Sequence, residues 1–374
     1  MENPFVYGKE VSGDNFCNRK KEIQELCRDV ENSQNVIIFS QRRYGKTSLI
    51  KRVFEISKRK GVITVYADLY PILTEEDFIS TYARAVAESI LGKFGKGFKD
   101  LAKFFKKIRP KFTLGQNGEM SYSIDIEKKE ILPSLEDALE SINRYIANKK
   151  KKAVVCFDEF QQIALFKTDK IEKTMRSLFQ KHKNISYIFM GSKKHLISDI
   201  FNNPHRPFYR SGKSFPLGKI DKNELSEFIE NKFALANKIL SGNLAGEIMD
   251  LCESHPYYVQ YLCHIIWEKV MDKKKISKED LLKGIDLLLE RESSTYEATW
   301  NLLTLKQKQV LMALSKMLPE EKLFSYEFLQ KHNLGSASSL QRTVRSLIDK
   351  DLIDREGDLY TIMDVFFKRW LSRI

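Results

Sequence analysis

Long apolar runs, paired cysteines and proline- or glycine-rich tracts are all missing from this sequence of 374 residues. Without a stretch of about 18 uncharged apolar residues, the chain has no candidate transmembrane helix. Its five cysteines are an odd number without a CxxC pair, which favours a reducing compartment over a disulfide framework. With 17 Gly and 9 Pro, the composition differs from that of disordered or fibrous chains. The N-terminus, MENPFVYGKE, lacks the apolar core of a signal peptide, so we expect a cytoplasmic protein.

The composition describes a folded protein with an excess of basic groups. Hydrophobic residues make up 42% of the chain and charged residues 30%, both close to ordinary globular usage. A chain of 374 residues is too long for one core, so two or three domains are expected. The formal net charge of +13 favours polyanionic partners such as nucleotides, nucleic acid or acidic lipid. A surface solvated by many lysines accounts for it equally well, and both interpretations stay open.

Four short apolar runs have the length and residue types of buried strands. They occupy residues 35–40 (NVIIFS), 61–69 (GVITVYADL), 153–157 (AVVCF) and 185–190 (ISYIFM). Residues 47–58 have a helical pattern, which gives the strand–helix–strand order of a parallel sheet. The chain is therefore predicted to contain a doubly wound α/β domain.

A lysine-rich insertion separates the second and third strands, at about residues 93–130. We predict a basic helix over residues 93–111 and a hairpin signalled by Asn117-Gly118. The apolar residues of the helix recur at helical spacing, at Leu101, Phe104, Phe105 and Ile108. This apolar face favours a packed amphipathic helix over a helix that binds a polyanion.

The rest of the chain has helical patterns followed by one hairpin. Residues 217–293 suit a small helical lid, and Asp221 is placed to cap its first helix. After the polar stretch 291–297, helices are predicted at 305–318, 325–332 and 338–350, before a hairpin around Gly357. Three helices and a hairpin form the order of a winged-helix domain. The predicted domains are thus an α/β core at 1–216, a lid at 217–293 and a winged helix at 294–374.

A phosphate-binding loop follows the first predicted strand. Its residues are Ser40, Gln41, Arg42, Arg43, Tyr44, Gly45, Lys46 and Thr47, which match the Walker A pattern G-x-x-x-x-G-K-[ST] except at Ser40. The backbone N–H groups of such a loop bind phosphates, and Lys46 adds a charge at the β- and γ-phosphates. The Thr47 hydroxyl is a candidate Mg²⁺ ligand, and Gly45 is expected where a side chain would collide with the phosphates. The strand before the loop and the helix after it argue against a chance match.

The third predicted strand ends in two acids, Asp158 and Glu159, in the manner of a Walker B motif. Asp158 would hold Mg²⁺ directly or through water. Glu159 would polarise the attacking water as a general base. An Asp-Glu pair at a strand end is common by chance, but together with the phosphate loop it predicts an ATPase with ATP and Mg²⁺ as cofactors.

With both motifs present, the chain resembles the archaeal-type AAA+ ATPases, a branch of the STAND class of P-loop NTPases. The resemblance implies an AAA+ core with a parallel sheet, a helical lid and a C-terminal winged helix. Residues 16–23 (FCNRKKEI) are similar to the family's F-x-G-R-x-x-E-L box, with Asn18 replacing the glycine. In the family this box lies against the adenine end of the nucleotide, so Phe16 and Arg19 are implied contacts. The loop is similar to the family's P-R-R-x-G-K-T-S-L segment, which adds Ser48 to the predicted site.

Two further site positions are implied by the same resemblance. Ser192 follows the fourth strand at the family's sensor position, a polar group near the γ-phosphate, although a plain strand-to-helix turn is an alternative. Arg206 or Arg210 corresponds to the arginine finger of AAA+ rings. A surface ion pair is the alternative for at least one of these arginines.

The lid and the C-terminus also carry family motifs. Pro256 falls in a segment similar to the family's G-x-P lid motif, with Ser254 in place of the glycine. In the family this turn approaches the nucleotide, so Pro256 and His255 are implied contacts, and a helix start at Pro256 is expected in either case. Residues 364–371 are similar to the closing D-x-x-F-x-x-W-L helix, whose aromatic residues we expect in a core.

Two functions fit these features. The leading hypothesis is a nucleotide-controlled switch, in which ATP and Mg²⁺ close the lid on the core and slow hydrolysis resets it. The alternative is an AAA+ DNA-binding protein that resembles archaeal origin-binding initiators. Arg342 and Arg345 on the predicted recognition helix favour DNA, whereas Asp354, Glu356 and Asp358 in the hairpin would repel it. An unknown protein partner, double-stranded DNA and a nucleotide-dependent oligomer stay open as partners.

Overall fold

The computed structural model describes most of the chain as two compact units. It covers residues 2–11, 13, 16–17, 19–91, 105–106, 108–114, 120–125 and 131–374. One unit, here called the sheet unit, comprises Arg19–Gly218. The other, the helical unit, comprises Met1–Asn18 together with Lys219–Ile374. Each has its own buried hydrophobic core.

The described part of the sheet unit alternates strands and helices. Its strands are β1 (Val36–Phe39), β2 (Ile63–Asp68), β3 (Arg109–Leu114), β4 (Met120–Asp125), β5 (Ala153–Asp158), β6 (Ile185–Gly191) and β7 (Lys213–Pro216). Its α-helices are α1 (Lys20–Glu31), α2 (Lys46–Arg59), α3 (Glu75–Leu91), α4 (Ile131–Lys149), α5 (Lys170–Phe179) and α6 (Lys194–Asn202). A 3₁₀-helix spans Phe160–Leu165.

Five of these strands form one parallel sheet in the order β2-β5-β6-β1-β7. Asp68 is paired with Asp158 and Phe39 with Gly191, so the carboxyl ends of the strands meet at one edge. β5 lies inside the sheet and is buried along its whole length, as its β-branched residues favour. The predicted α/β class and the four predicted strands are confirmed, and β7 is an additional edge strand.

An aromatic cluster fixes the end of β5. The ring centroids of Tyr82, Phe189 and Phe179 lie 5.5, 5.9 and 6.0 Å from that of Phe157. Phe157 is fully buried, and aromatic side chains packed at this spacing contribute large apolar areas to a core. The backbone that leads into Asp158 is therefore held by packing on the preceding residue.

The insertion between β2 and β5 contains a hairpin, in which β3 pairs antiparallel with β4. The prediction of a helix that reaches residue 111 was wrong, because β3 begins at Arg109. Phe105 and Ile108 are buried, as predicted for the apolar face. The carboxylate of Asp137 holds this segment by accepting from the backbone N–H groups of Lys106 and Ile108 at 2.8–3.1 Å. Leu101, Phe104 and Asn117-Gly118 lie outside the described residues.

The described part of the helical unit is dominated by α-helices. They are α7 (Lys222–Leu235), α8 (Leu244–Leu251), α9 (Pro256–Lys269), α10 (Lys278–Asn301), α11 (Leu305–Ser315), α12 (Tyr326–Lys331), α13 (Ala337–Asp349) and α14 (Val365–Leu371). Its strands are β8 (Ile239–Leu240), β9 (Lys275–Ile276), β10 (Ile353–Glu356) and β11 (Leu359–Ile362). The two pairs β8–β9 and β10–β11 are parallel and antiparallel, respectively.

The C-terminal elements have the predicted winged-helix order. α11, α12 and α13 are followed by the β10–β11 hairpin, in which Gly357 has a left-handed φ of 62°. Each of the three helices begins after a residue whose side chain accepts from a backbone N–H of its first turn, namely Thr304, Ser325 and Ser336. Asp221 caps α7 in the same way, as predicted.

A continuous helix crosses the polar stretch that we expected to separate the lid from the winged helix. α10 runs through residues 291–297 because tertiary contacts stabilise it there. Tyr296 is buried, its ring centroid lies 5.3 Å from that of Phe367, and its hydroxyl donates to Asp364 at 3.3 Å. The closing aromatic residues Phe366, Phe367 and Trp370 are buried, which confirms their predicted place in a core.

The first residues of the chain pack within the helical unit. The ring of Phe5 is buried with its centroid 4.6 Å from that of Phe233, and Tyr7 stacks on Tyr261 at 4.2 Å. The predicted division of the chain at residues 216 and 293 stays a prediction. Within the described ranges, no helix combines the length and the apolar character that a membrane span requires.

Candidate nucleotide site

The loop between β1 and α2 has a backbone suited to binding an anion. Arg43 and Gly45 have left-handed φ values of 65° and 82°. Such residues let successive N–H groups face one side, and the N-terminus of the 14-residue α2 adds a partial positive charge. The left-handed φ is what favours glycine at position 45, since nothing lies within 4 Å of a Cβ added there. The expected collision of a side chain with phosphates stays a prediction.

Lys46 is the buried cation of this loop. It is 7% exposed, and Nζ donates to the backbone oxygens of Ser40 and Gln41, both at 3.0 Å. Burial lowers the pKa of Lys46 to about 8, although the carboxylates of Glu159 and Asp158 oppose this shift. The ammonium group therefore lies inside the loop, where a phosphate oxygen could share it with the carbonyl groups.

The other predicted loop residues differ in exposure. Ser40, Tyr44 and Ser48 are buried, and the backbone of Ser40 accepts from Lys46. Arg42 and Arg43 are exposed, and the charge of Arg42 lowers the pKa of Lys46 further. The exposed guanidinium groups raise the positive potential at the entrance to the loop.

Asp158 is the centre of a hydrogen-bond network at the end of β5. Its Oδ2 accepts from the Thr47 hydroxyl at 3.1 Å and from the Tyr66 hydroxyl. Its Oδ1 accepts from the backbone N–H of Glu159 at 2.9 Å. Burial raises the pKa of Asp158, while the Tyr66 hydrogen bond opposes this. No sequence motif marked Tyr66, which the β2–β5 register places opposite Cys156.

The Thr47 and Asp158 oxygens fit the ligand pattern of Mg²⁺. Octahedral Mg²⁺ with ligands at ~2.0–2.1 Å places adjacent ligands ~2.9 Å apart. The Thr47 Oγ1 to Asp158 Oδ2 distance is 3.1 Å. In the described ranges no group of three or more His, Cys, Asp or Glu side chains could hold a metal by itself. A protein that binds Mg²⁺ together with substrate phosphates needs only one or two carboxylates.

Glu159 and Ser192, predicted separately, are in contact. The Ser192 hydroxyl donates to Glu159 Oε2 at 2.8 Å, because Ser192 follows β6, the neighbour of β5. Glu159 has a left-handed backbone with φ 51°. A second donor to Oε2 is the side-chain amide of Gln161, which sequence reasoning missed. Its only sequence signal is its position two residues after the acid pair.

Two known protein-family models match parts of this chain. Residues 16–262, more than half of the chain, match a model described as an ATPase domain predominantly from Archaea. The chain belongs to this archaeal ATPase family. Residues 294–373 match a probable winged helix domain. No curated protein has a sequence that matches this one.

Solved structures of similar fold cover nearly the whole ATPase. The Walker-type ATPase paby2304 of Pyrococcus abyssi has a TM-score of 0.64 at 16% identity, with 99% of each chain covered. The Aeropyrum pernix ORC2 protein, in ADPNP–ADP complexes, has a TM-score of 0.55 at 13% identity, with 100% of this chain and 96% of that chain covered. The Aeropyrum pernix ORC1 protein in complex with DNA has a TM-score of 0.50 at 12% identity, with 96% and 94% covered. At these identities the likeness establishes the fold alone.

Arg19 of the ATPase binds the backbone of the phosphate loop. Its side chain is almost completely buried, and NH2 donates to the carbonyl oxygens of Tyr44 at 3.2 Å and Gly218 at 2.9 Å. NH1 donates to Glu22 at 2.9 Å. The guanidinium group thus stabilises the loop through its backbone, and the contact of Arg19 with a nucleotide stays a prediction.

The two candidate finger arginines have different surroundings. Arg206 donates to Glu172 Oε1 at 2.7 Å, and burial raises the pKa of this carboxyl group while Arg206 opposes the shift. Arg206 thus forms an ion pair, but with a buried carboxylate rather than with a surface acid. Arg210 is exposed, and its guanidinium carbon lies 5.2 Å from the ring centroid of Tyr209. Neither guanidinium contacts the phosphate loop within the described chain, so a finger role stays a prediction for both.

Phe16 and Pro256 belong to the helical unit. The backbone N–H of Phe16 donates to Gly13 O at 3.1 Å. Pro256 is the first residue of α9, as predicted, and follows His255. Ser254, which stands where the family has glycine, has a left-handed φ of 55°. Nucleotide contacts of Phe16 and Pro256 stay predictions.

The affinity for ATP should fall as the pH rises through about 8, where the amine of Lys46 loses its proton. Below this pH the charged amine is ready to bind phosphate. Above it, the free protein must first take up a proton, which weakens binding by up to about tenfold per pH unit. Calorimetric titration between about pH 7 and pH 9.5 measures the effect. Lys46→Ala should bind weakly without this pH dependence, which controls for the titration of ATP, and a constant parent affinity would contradict the prediction.

Proposed function

We propose that this ATPase is a nucleotide-controlled switch that binds ATP with Mg²⁺ and hydrolyses it slowly. The observation that carries the proposal is the convergence of Lys46, the Thr47–Asp158 pair and Glu159 at the carboxyl edge of one parallel sheet. Ligand sites of open α/β sheets lie at this edge. The winged-helix region adds a module that nucleotide binding could regulate.

Different residues of the site would bind the phosphates and Mg²⁺. The N–H groups of the loop and of α2 would hold the phosphates, with Lys46 at the β- and γ-phosphates. Thr47 and Asp158 would hold Mg²⁺, which would neutralise the charge that develops on the phosphates. The left-handed residues of the loop and the supporting bonds of Arg19 favour a loop that is organised before the nucleotide arrives.

Hydrolysis would depend on Glu159 as the general base for the attacking water. Ser192 would respond to the γ-phosphate, since its hydroxyl already binds the Glu159 carboxylate. Phe16 and Pro256 would contact the nucleotide, and Arg206 or Arg210 would supply charge in a nucleotide-dependent oligomer. ATP binding and hydrolysis would then alternate the chain between two states that present the winged helix differently to a partner.

Glu159→Gln should bind Mg-ATP with an affinity within about threefold of the parent and lose at least about a hundredfold in single-turnover hydrolysis. The amide keeps the size of the side chain but cannot accept a proton. Measurements of binding and of the hydrolysed fraction separate the two effects, and Glu88→Gln on the exposed side of α3 is the matched control. Hydrolysis by Glu159→Gln at the rate of the parent would contradict the proposed role of Glu159 as general base.

Double-stranded DNA is a second candidate ligand, favoured by the exposed side of α13. Leu340, Val344 and Leu347 are buried, whereas Arg342 and Arg345 are exposed. This is the arrangement of a recognition helix on an apolar support. The hairpin opposes DNA binding through the acidic side chains of Asp354, Glu356 and Asp358. One protein of similar fold, Aeropyrum pernix ORC1, was solved in complex with DNA.

If DNA binds here, Arg342→Ala with Arg345→Ala should weaken duplex binding and reduce its salt dependence by about two counterions. The matched control is Lys181→Ala with Lys183→Ala, which removes two exposed charges from the sheet unit. Fluorescence anisotropy over a range of salt concentrations measures both quantities. Absence of duplex binding by the parent at low salt would remove this candidate.

A further inference from the structure

Gln161 is a buried amide beside the predicted catalytic acid. It lies in the 3₁₀-helix Phe160–Leu165, which begins directly after Glu159. Gln161 is 4% exposed, and its Nε2 donates to Glu159 Oε2. Glutamine is mostly an exposed residue type, so complete burial of this amide against a carboxylate calls for a physical reason.

The orientation of the amide follows from its surroundings. Nε2 faces the carboxylate, since the opposite orientation would bring two acceptor oxygens together. The amide oxygen, Oε1, is buried and has no hydrogen-bond partner among the described residues. A buried acceptor without a partner carries a desolvation cost. The fold therefore tolerates a cost at Oε1 while directing Nε2 at Glu159.

The neighbouring strand leaves room for this amide. A Cβ added to Gly191, the last residue of β6, would lie 2.4 Å from Gln161 Oε1 and 2.4 Å from Ile197 Cγ1. Any larger residue would displace the amide or the isoleucine. The glycine at this position therefore lets Gln161 lie against the end of the strand, next to Ser192.

Gln161 and Ser192 donate to the same oxygen of Glu159. Two donors from different elements restrict the rotation of the carboxyl group and hold Oε2. This arrangement would leave the other carboxylate oxygen of Glu159, its Oε1, to accept a proton from water. A general base must lie within hydrogen-bond distance of the water that it activates, and small displacements of the base lower the rate of hydrolysis strongly.

We propose that Gln161 is a positioning residue for hydrolysis, which holds the carboxylate of Glu159 together with Ser192 so that Oε1 faces the attacking water. This inference rests on the proposed function, because it needs Glu159 to act as the base. Gln161 would act on Glu159 without touching the nucleotide. The opposing explanation is that Gln161 only fills space under β6, in which case any residue of similar volume would serve.

Gln161→Met tests the inference because it retains the length of the side chain and removes the donor. Its single-turnover hydrolysis should be roughly tenfold to a hundredfold slower than in the parent, with Mg-ATP affinity changed by less than about threefold. Gln162→Met, on the next and half-buried residue of the same 3₁₀-helix, is the matched control and should hydrolyse like the parent. Gln161→Asn keeps an amide that is one methylene too short, so it should show the same loss and replaces the methionine variant if that variant does not fold.

A double variant, Gln161→Met with Glu159→Gln, tests whether Gln161 affects hydrolysis through Glu159. If Gln161 acts through Glu159, adding Gln161→Met to Glu159→Gln should change the residual rate by less than about twofold. The same fold-loss in both backgrounds, a parent-like rate in Gln161→Met, or an equal loss in ATP affinity and rate would each overturn the inference. A parent chain that binds ATP without hydrolysing it would instead overturn the proposed function, and the inference with it.

Discussion

The parallel pairing of β5 with its neighbours is the constraint on which the site depends. β5 carries Asp158 at its end, β2 presents Tyr66 to this carboxylate, and Ser192 follows β6 on the other side. β1 lies next to β6 and leads into the loop that precedes Thr47. Because successive side chains of a strand point to opposite faces, a register slip of one residue would invert these positions. The packing of Phe157 and its aromatic neighbours opposes such a slip.

Much of this arrangement could be predicted from sequence, because its signals are local. Apolar runs of five to nine residues predicted four of the five strands of the parallel sheet, and the Walker A pattern predicted the loop between β1 and α2. The Asp158-Glu159 pair at a strand end completed the predicted chemistry. Capping residues such as Asp221 and the stripe of Leu340, Val344 and Leu347 likewise act within a few turns of chain. Where short-range physics decides the conformation, pattern and structure agree.

The missed features depend on contacts between distant segments. β7 has one buried residue, Phe215, and in the described sheet it lies at the edge beside β1, so no apolar run marks it. The polar stretch 291–297 stays helical because Tyr296 packs on the C-terminal helix. The hydrogen bonds of Tyr66 to Asp158 and of Gln161 to Glu159 follow from strand register and from a close approach to Gly191, neither of which a motif records. In the lysine-rich insertion, helical spacing predicts a helix up to residue 111, whereas the chain forms β3 from Arg109.

In the proposed function, the phosphate loop and the end of β5 form one site for ATP and Mg²⁺. The most direct measurement is the affinity for ATP with and without Mg²⁺ in the parent, in Thr47→Ala and in Thr47→Ser. If Thr47 and Asp158 hold the metal, Mg²⁺ should strengthen ATP binding by at least about tenfold in the parent and in Thr47→Ser, which keeps the hydroxyl, and Thr47→Ala should lose this gain. The same affinity with and without Mg²⁺ in the parent, or an undiminished gain in Thr47→Ala, would contradict it.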